Sequence, residues 1–130
     1  MSVLPQIPAN PDTVATASLD TSEGWMPYPL GDDVIAGNPE CQMKVLRTVG
    51  TTTAKKIAAF FTAQPSKFHW KFDNDEAFVL IEGHIAVTLD TGEVFDLKAG
   101  DAISVPGGHT GVCEVFAPSR KFTVVTSGQA

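Results

Sequence analysis

The stretch His69-Trp70-Lys71-Phe72-Asp73-Asn74-Asp75-Glu76-Ala77-Phe78-Val79-Leu80-Ile81-Glu82-Gly83 reads as two strands joined by a short polar turn. Aromatic and β-branched residues dominate 67–72 and 77–82, and the acidic and amide residues between them suit a turn. Side chains on a strand alternate faces, so His69 and Lys71 share one side while Phe68, Trp70 and Phe72 share the other. Glu76 opens the following strand after the turn. On periodicity alone, the aromatic side is the buried one.

Outward from this stretch the same texture recurs. Short runs separated by Gly, Pro, Asn and Asp predict further strands over residues 42–49, 55–62, 84–90, 93–97, 102–105, 111–116 and 121–126. Asp90-Thr91-Gly92, Ala99-Gly100-Asp101 and Pro106-Gly107-Gly108 supply turns. Residues 53–63 would also allow a helical turn or two. Lys56, Ala58, Phe60 and Thr62 alternate with Ile57, Ala59 and Phe61, however, which favours a strand. The fold class that follows is all-β, a barrel or sandwich.

Residues 1–40 read differently. They hold Pro5, Pro8, Pro11, Pro27, Pro29 and Pro39 and show no sustained periodicity, which predicts an extended Pro-rich N-terminal arm. Trp25, Met26, Tyr28 and Leu30 are costly to leave in water, so residues 24–30 are expected to lie on the barrel or on a partner subunit, with residues 3–19 loosely ordered. The expected division is an arm over 1–40 and a barrel over 41–130.

Size and charge limit the function. A chain of 130 residues fits one domain. No apolar run approaches the roughly 20 residues of a membrane helix, so no membrane partner is expected. The formal charge of −6, with Lys and Arg scattered, repels phosphate backbones and argues against nucleic acid. Residues 1–10 lack the cationic start and apolar stretch of a secretory leader, and the expected compartment is the cytoplasm. Cys41 and Cys113 are too few for a disulfide framework and are expected to be reduced and partly buried.

His69, Glu76 and Gly83 keep the spacing of the first motif of the cupin superfamily, which the chain resembles: His-x-His, three or four residues, Glu, six residues, Gly. Gly100, Pro106 and Gly108 keep the second: Gly, five residues, Pro-x-Gly, two residues, His. Lys71 stands at the second histidine position, Gly111 at the last and Ala63 at the leading glycine of the first motif. Two of the four usual metal ligands are therefore absent. The joint order of Glu76, Val79 to Gly83, Thr88, Gly92, Leu97 to Asp101, Pro106, Gly108, Gly111, Cys113 to Val115 and Arg120-Lys121 is similar to one cupin branch. That branch holds the ethanolamine-utilisation Q-type proteins and the ureidoglycine aminohydrolase-like cupins, and it often has tryptophan where this chain has Cys113. The resemblance spans residues 42–126 and implies a single-domain jelly-roll barrel, the double-stranded β-helix.

For the site, the resemblance implies a pocket inside the barrel, with Lys71 turned inward against the periodicity. Lys71 and Glu76 are then the candidate catalytic pair, since a buried ammonium binds a carboxylate or enolate and shifts towards acid–base duty. His69, Phe78, His109 and Cys113 are the candidate ligand-binding residues. Read without chemistry, Lys71 either pairs with Glu76 inside the barrel or points outward into water. No metal or other cofactor is expected, because an ammonium repels a divalent ion. The alternative is a divalent transition metal held by His69, Glu76 and His109. The expected function is binding of a small polar metabolite such as a carboxylate, with metal-independent chemistry of the lyase, isomerase or hydrolase type. The alternatives are a metal-dependent cupin enzyme and a non-catalytic sensor or accessory protein. Cupins of this size commonly pair, so the resemblance also implies a homodimer.

Overall fold

The computed structural model describes residues 14–50 and 55–126. Its strands are β1 (Trp25–Pro27), β2 (Val34–Gly37), β3 (Gln42–Gly50), β4 (Lys55–Ala63), β5 (Ser66–Phe72), β6 (Asp75–Leu89), β7 (Val94–Lys98), β8 (Ala102–Val105) and β9 (His109–Thr126). A 3-10 turn, Gly31–Asp33, precedes β2. The all-β cupin architecture expected from the sequence is the one observed, and residues 55–63 form a strand rather than a helical turn.

Two long strands organise everything else. β9 pairs along one edge with β4 through residues 119–126 and with β5 through residues 109–115, while β6 runs along its other edge. β6 in turn carries β8 beside its first half and β7 beside its second. All of these pairings are antiparallel. The sheet curls so that the flank of β3, β4, β8 and the last part of β9 faces the flank of β2, β5, β7 and the first part of β9. The sequence reading divided β6 and β9 into two strands each; both continue through their bends.

Gly83 shows why the bend in β6 sits where it does. Its φ is +102°, and a Cβ there would come within 2.1 Å of Ser119 Oγ and 2.6 Å of the Pro118 carbonyl oxygen. Only glycine allows the two strands to cross so closely while taking a left-handed backbone. The Ser119 hydroxyl accepts the His84 N–H and donates to the Ala117 carbonyl, which fastens the crossing.

The expected arm merges with the sheet. β1 pairs with β3, and β2 pairs with β5, so the chain between them crosses from one flank to the other. Tyr28 and Leu30 are buried on the way. Within the expected arm, residues 25–27 and 34–37 thus pair with strands of the barrel. Before β1, the Lys44 ammonium donates to the carbonyls of Ser18 and Thr21 and to the Thr21 hydroxyl, and sits 5.0 Å from the Trp25 ring centre. Those contacts hold residues 18–25 on the barrel. The earlier part of the expected arm, residues 1–13, lies outside the described residues.

The core lies between the flanks. It holds Met43, Phe61, Phe68, Phe72, Phe78, Leu80, Ile85, Val87, Leu97, Val105 and Val115, with Tyr28 and Leu30. At about 25 cal/mol per Å² of apolar surface, burial of such side chains is the main favourable term for the fold.

Candidate ligand-binding site

β5 decides which groups reach the interior. Ser66, Phe68 and Phe72 are buried and Trp70 is half-buried, whereas Lys67, His69 and Lys71 are exposed. Four alternate positions of one strand cannot turn inward together with their neighbours. Burying a large apolar side chain gains roughly 1.5–3 kcal/mol, while burying an ammonium costs free energy unless it is paired, so the aromatic set wins the inner face. The expected inward Lys71 is therefore corrected: it lies outside the barrel, opposite Thr110 of β9. His69 lies outside as well, opposite Val112. Neither meets Glu76 in the barrel interior.

Glu76 does reach the interior, at 5% exposure. Its partner there is Lys121 of β9. Lys121 Nζ lies 3.2 Å from Glu76 Oε2, the Thr123 hydroxyl donates to the same oxygen at 2.6 Å, and Trp70 Nε1 donates to Oε1 at 3.2 Å. Burial by itself raises the Glu76 pKa. The Lys121 charge and the three hydrogen bonds outweigh it, and the carboxyl is held below its ordinary value. Glu76 is thus a fixed carboxylate.

The Lys121 ammonium stands among three aromatic rings. Its Nζ is 4.1 Å from the Phe78 ring centre, 5.1 Å from that of Phe61 and 5.4 Å from that of Trp70. Cation–π attraction at such distances contributes about 0.5–2 kcal/mol per ring, more where water is excluded. Tyr28 packs behind two of those rings, 5.4 Å from Phe61 and 6.1 Å from Trp70.

Beside this ammonium, between the two flanks, lies a partly open cavity. Its walls include Phe61, Phe68, Trp70, Phe72, Phe78, Leu80, Ile85, Val87, Cys113, Val115 and Lys121, and about 40 Å³ of it is open to the centre of a water molecule. One water needs about 10–15 Å³ on that measure, so a group of a few heavy atoms fits. Phe78 and Cys113, both singled out from the sequence, stand in the wall. Burial pushes the Cys113 thiol up to about 11 and the Cys41 thiol up to about 12, with the Lys121 charge opposing the rise in each case.

His109, the remaining candidate, is elsewhere. Its Nδ1 is 2.7 Å from Asp90 Oδ1 at the surface. That contact is the first cause holding the Asp90 carboxyl below its ordinary value. His84 makes a similar surface pair with Asp96, at 2.6 Å.

These positions do not fit the metal centre that the cupin fold brings to mind. His69, Glu76 and His109 do not converge, the carboxylate of Glu76 is committed to three donors, and an ammonium stands next to it. Gly111 is buried at the position of the missing ligand, where even a Cβ would meet Phe72 at 3.4 Å and the Thr88 carbonyl at 3.0 Å. Among the described residues no three His, Cys, Asp or Glu side chains form a group able to hold a metal ion. The alternative metal site at His69, Glu76 and His109 is corrected accordingly.

Lys121, Thr123 and Trp70 were not among the candidates drawn from the sequence, where Lys121 read as a strand-end residue. The signal was present in the parity of β9. Gly111, Cys113, Val115, Ser119, Lys121 and Thr123 alternate along one face, and taking 109–126 as one strand sends Lys121 inward.

A model of the EutQ-like cupin domain matches residues 51–122, more than half of the chain. The chain belongs to the EutQ-like cupin family. Solved structures carry the same fold. The EutQ protein of Salmonella typhimurium is 24% identical, with a TM-score of 0.58 over 68% of this chain and 71% of that one. Clostridium difficile EutQ is 20% identical, with a TM-score of 0.54 over 75% and 79% of the two chains. Ectoine synthase from P. lautus is 15% identical, with a TM-score of 0.59 over 75% and 71%. No curated protein matches the sequence. Among the described residues, no helix of this EutQ-like cupin is long and apolar enough to cross a membrane.

Proposed function

We propose that this cupin binds a small molecule in the cavity between its two flanks, with Lys121 as the hydrogen-bond donor and Glu76 as the fixed counter-ion that positions it. The observation that carries this reading is the Lys121 ammonium itself, 15% exposed, set among Phe61, Trp70 and Phe78 at the wall of a mainly apolar space. Ligand sites are typically concave and apolar with a few convergent polar groups, and this one has that composition. The likeness to ectoine synthase, an enzyme by its name, is consistent with a barrel that takes a metabolite, at an identity that speaks for the fold alone.

The acid–base role expected for Lys71 passes to Lys121 in this reading. An ammonium fixed in an apolar site stabilises negative charge developing on a ligand oxygen, the step shared by many lyases, isomerases and hydrolases. Glu76 accepts from three donors and holds the ammonium in place rather than abstracting a proton.

Ligand-observed NMR against small carbonyl compounds and acids tests the site. Wild-type protein is expected to show binding, and Cys113→Phe, which fills the cavity from its wall, is expected to remain folded and lose it. Undiminished binding to Cys113→Phe would contradict the placement of the ligand in the cavity.

We also infer a homodimer. Ala77, Val79, Ala102, Phe122 and Val124 line a shallow apolar depression on the outer face of the β4–β9–β6–β8 flank, which suits stacking against a second copy. Sedimentation equilibrium showing a monomer at micromolar concentration would contradict it.

A further inference from the structure

The charge balance of the cavity selects among ligands. The Lys121 ammonium in its wall is paired with the buried Glu76 carboxylate, which stands behind the lining, so the site is neutral before any ligand enters. Arg120 also borders the cavity, but its guanidinium is engaged with Glu82 and lies 3.5 Å from Asp20. It has carboxylates of its own to balance. A carboxylate ligand beside Lys121 would be the second anion on a single cation within apolar walls, and uncompensated charge in such surroundings is costly.

Donors and acceptors are just as unequal. Glu76 accepts from Trp70, Lys121 and Thr123. Lys121 has three N–H bonds, and among the described residues its one hydrogen-bond partner is Glu76. What the site has to spare is donors from Lys121, directed towards rings and cavity. The remaining wall is mainly aromatic and aliphatic, with Ser119 in it and the Cys113 thiol uncharged.

We propose that the ligand is a net-neutral, mainly apolar molecule of a few heavy atoms carrying a carbonyl oxygen that accepts a hydrogen bond from Lys121. This names the ligand class of the site proposed above and rests on that reading. It departs from the polar carboxylate expected from the sequence because both the neutral ion pair and the apolar wall disfavour an anion.

Three probes of five heavy atoms each separate the possibilities: 2-butanone, propanamide and propanoate, titrated at pH 8 into protein carrying nitrogen-labelled lysine and tryptophan. The expected result is that 2-butanone and propanamide shift the Lys121 Nζ and Trp70 Nε1 resonances, with propanoate weaker by about tenfold or more, a free-energy difference of roughly 1.4 kcal/mol. Lys121→Met alone would strand Glu76, so the control is the double variant Lys121→Met/Glu76→Gln, whose cavity stays neutral. It is expected to lose about tenfold in affinity for both neutral probes, the scale of one hydrogen bond. Propanoate binding more tightly than propanamide would overturn the class while leaving the cavity as the site. Unchanged affinity in the double variant would overturn Lys121 as the donor. Silence of all three probes at these resonances would overturn the small-molecule reading and the ligand class together.

Discussion

Lys121 Nζ stands 3.2 Å from Glu76 Oε2, bringing together residues 45 apart in sequence on the two longest strands of the barrel. Glu76 is nearly inaccessible and Lys121 little more exposed, so each is the other's main charge partner. Buried pairs of this kind add little net stability compared with apolar replacements, but breaking one is expensive.

Removing one partner should therefore cost more than removing both. Lys121→Met leaves an uncompensated carboxylate and is expected to destabilise the fold by about 3–5 kcal/mol. Lys121→Met/Glu76→Gln is expected to recover most of that loss. Urea denaturation of the three proteins checks it, and a double variant as unstable as Lys121→Met would contradict the coupling.

The pH dependence of stability has two limits with opposite signs. Glu76 has a folded pKa below its ordinary value of 4.5, so its contribution is fully present above about pH 4.5 and fades as pH falls through the lowered value. The Cys41 and Cys113 thiols move the other way, from 9.0 to about 12 and about 11. Their contribution is complete below pH 9 and declines as pH rises towards the folded values, because the unfolded chain ionises first. Melting temperature measured from pH 3 to pH 11 should fall at both ends; a flat profile above pH 9 would contradict the burial of the thiols.

Those thiols should also react slowly. The thiolate is the nucleophile, and burial keeps both cysteines protonated at pH 8. Iodoacetamide is expected to modify Cys41 and Cys113 far more slowly in native protein than after denaturant is added, as read by intact mass. Rapid labelling of Cys113 in native protein would contradict the raised pKa of its thiol.

Gly83→Ala tests the bend. The new Cβ meets Ser119 and the Pro118 carbonyl while a non-glycine residue is forced to positive φ, and each effect costs about 1–3 kcal/mol. Thermal unfolding should show a large loss, whereas Lys71→Ala, outside the barrel, should stay within about 0.5 kcal/mol of wild type.

The fold was legible because strand texture, turn residues and motif spacing all agreed. β1 and β2 were missed: at three and four residues they are too short to display alternation, and prolines surround them. The site was legible only in part. Parity and spacing set Glu76, Phe78 and Cys113 on the inner face; the structure buries Glu76 and has the other two lining the cavity. Lys71 was sent inward by the motif resemblance against the alternation of Phe68, Trp70 and Phe72, and the alternation decides its position. Lys121 was hidden because dividing β9 near Ala117 and Pro118 broke the parity linking it to Cys113 and Val115. Its pairing with Glu76 is a long-range contact that no local pattern encodes.

The most direct measurement of the central claim is an NMR titration of protein labelled with nitrogen-15 in its lysine side chains, using 2-butanone as ligand. Water-shielded ammonium groups exchange slowly enough to be seen, and among the described residues two are expected, Lys44 against residues 18–21 and Lys121 against Glu76. The account predicts that the resonance absent from Lys121→Met/Glu76→Gln is the one that moves on titration, while Lys44 stays fixed. A shift confined to Lys71 or to other surface lysines, with Lys121 unmoved, would contradict it.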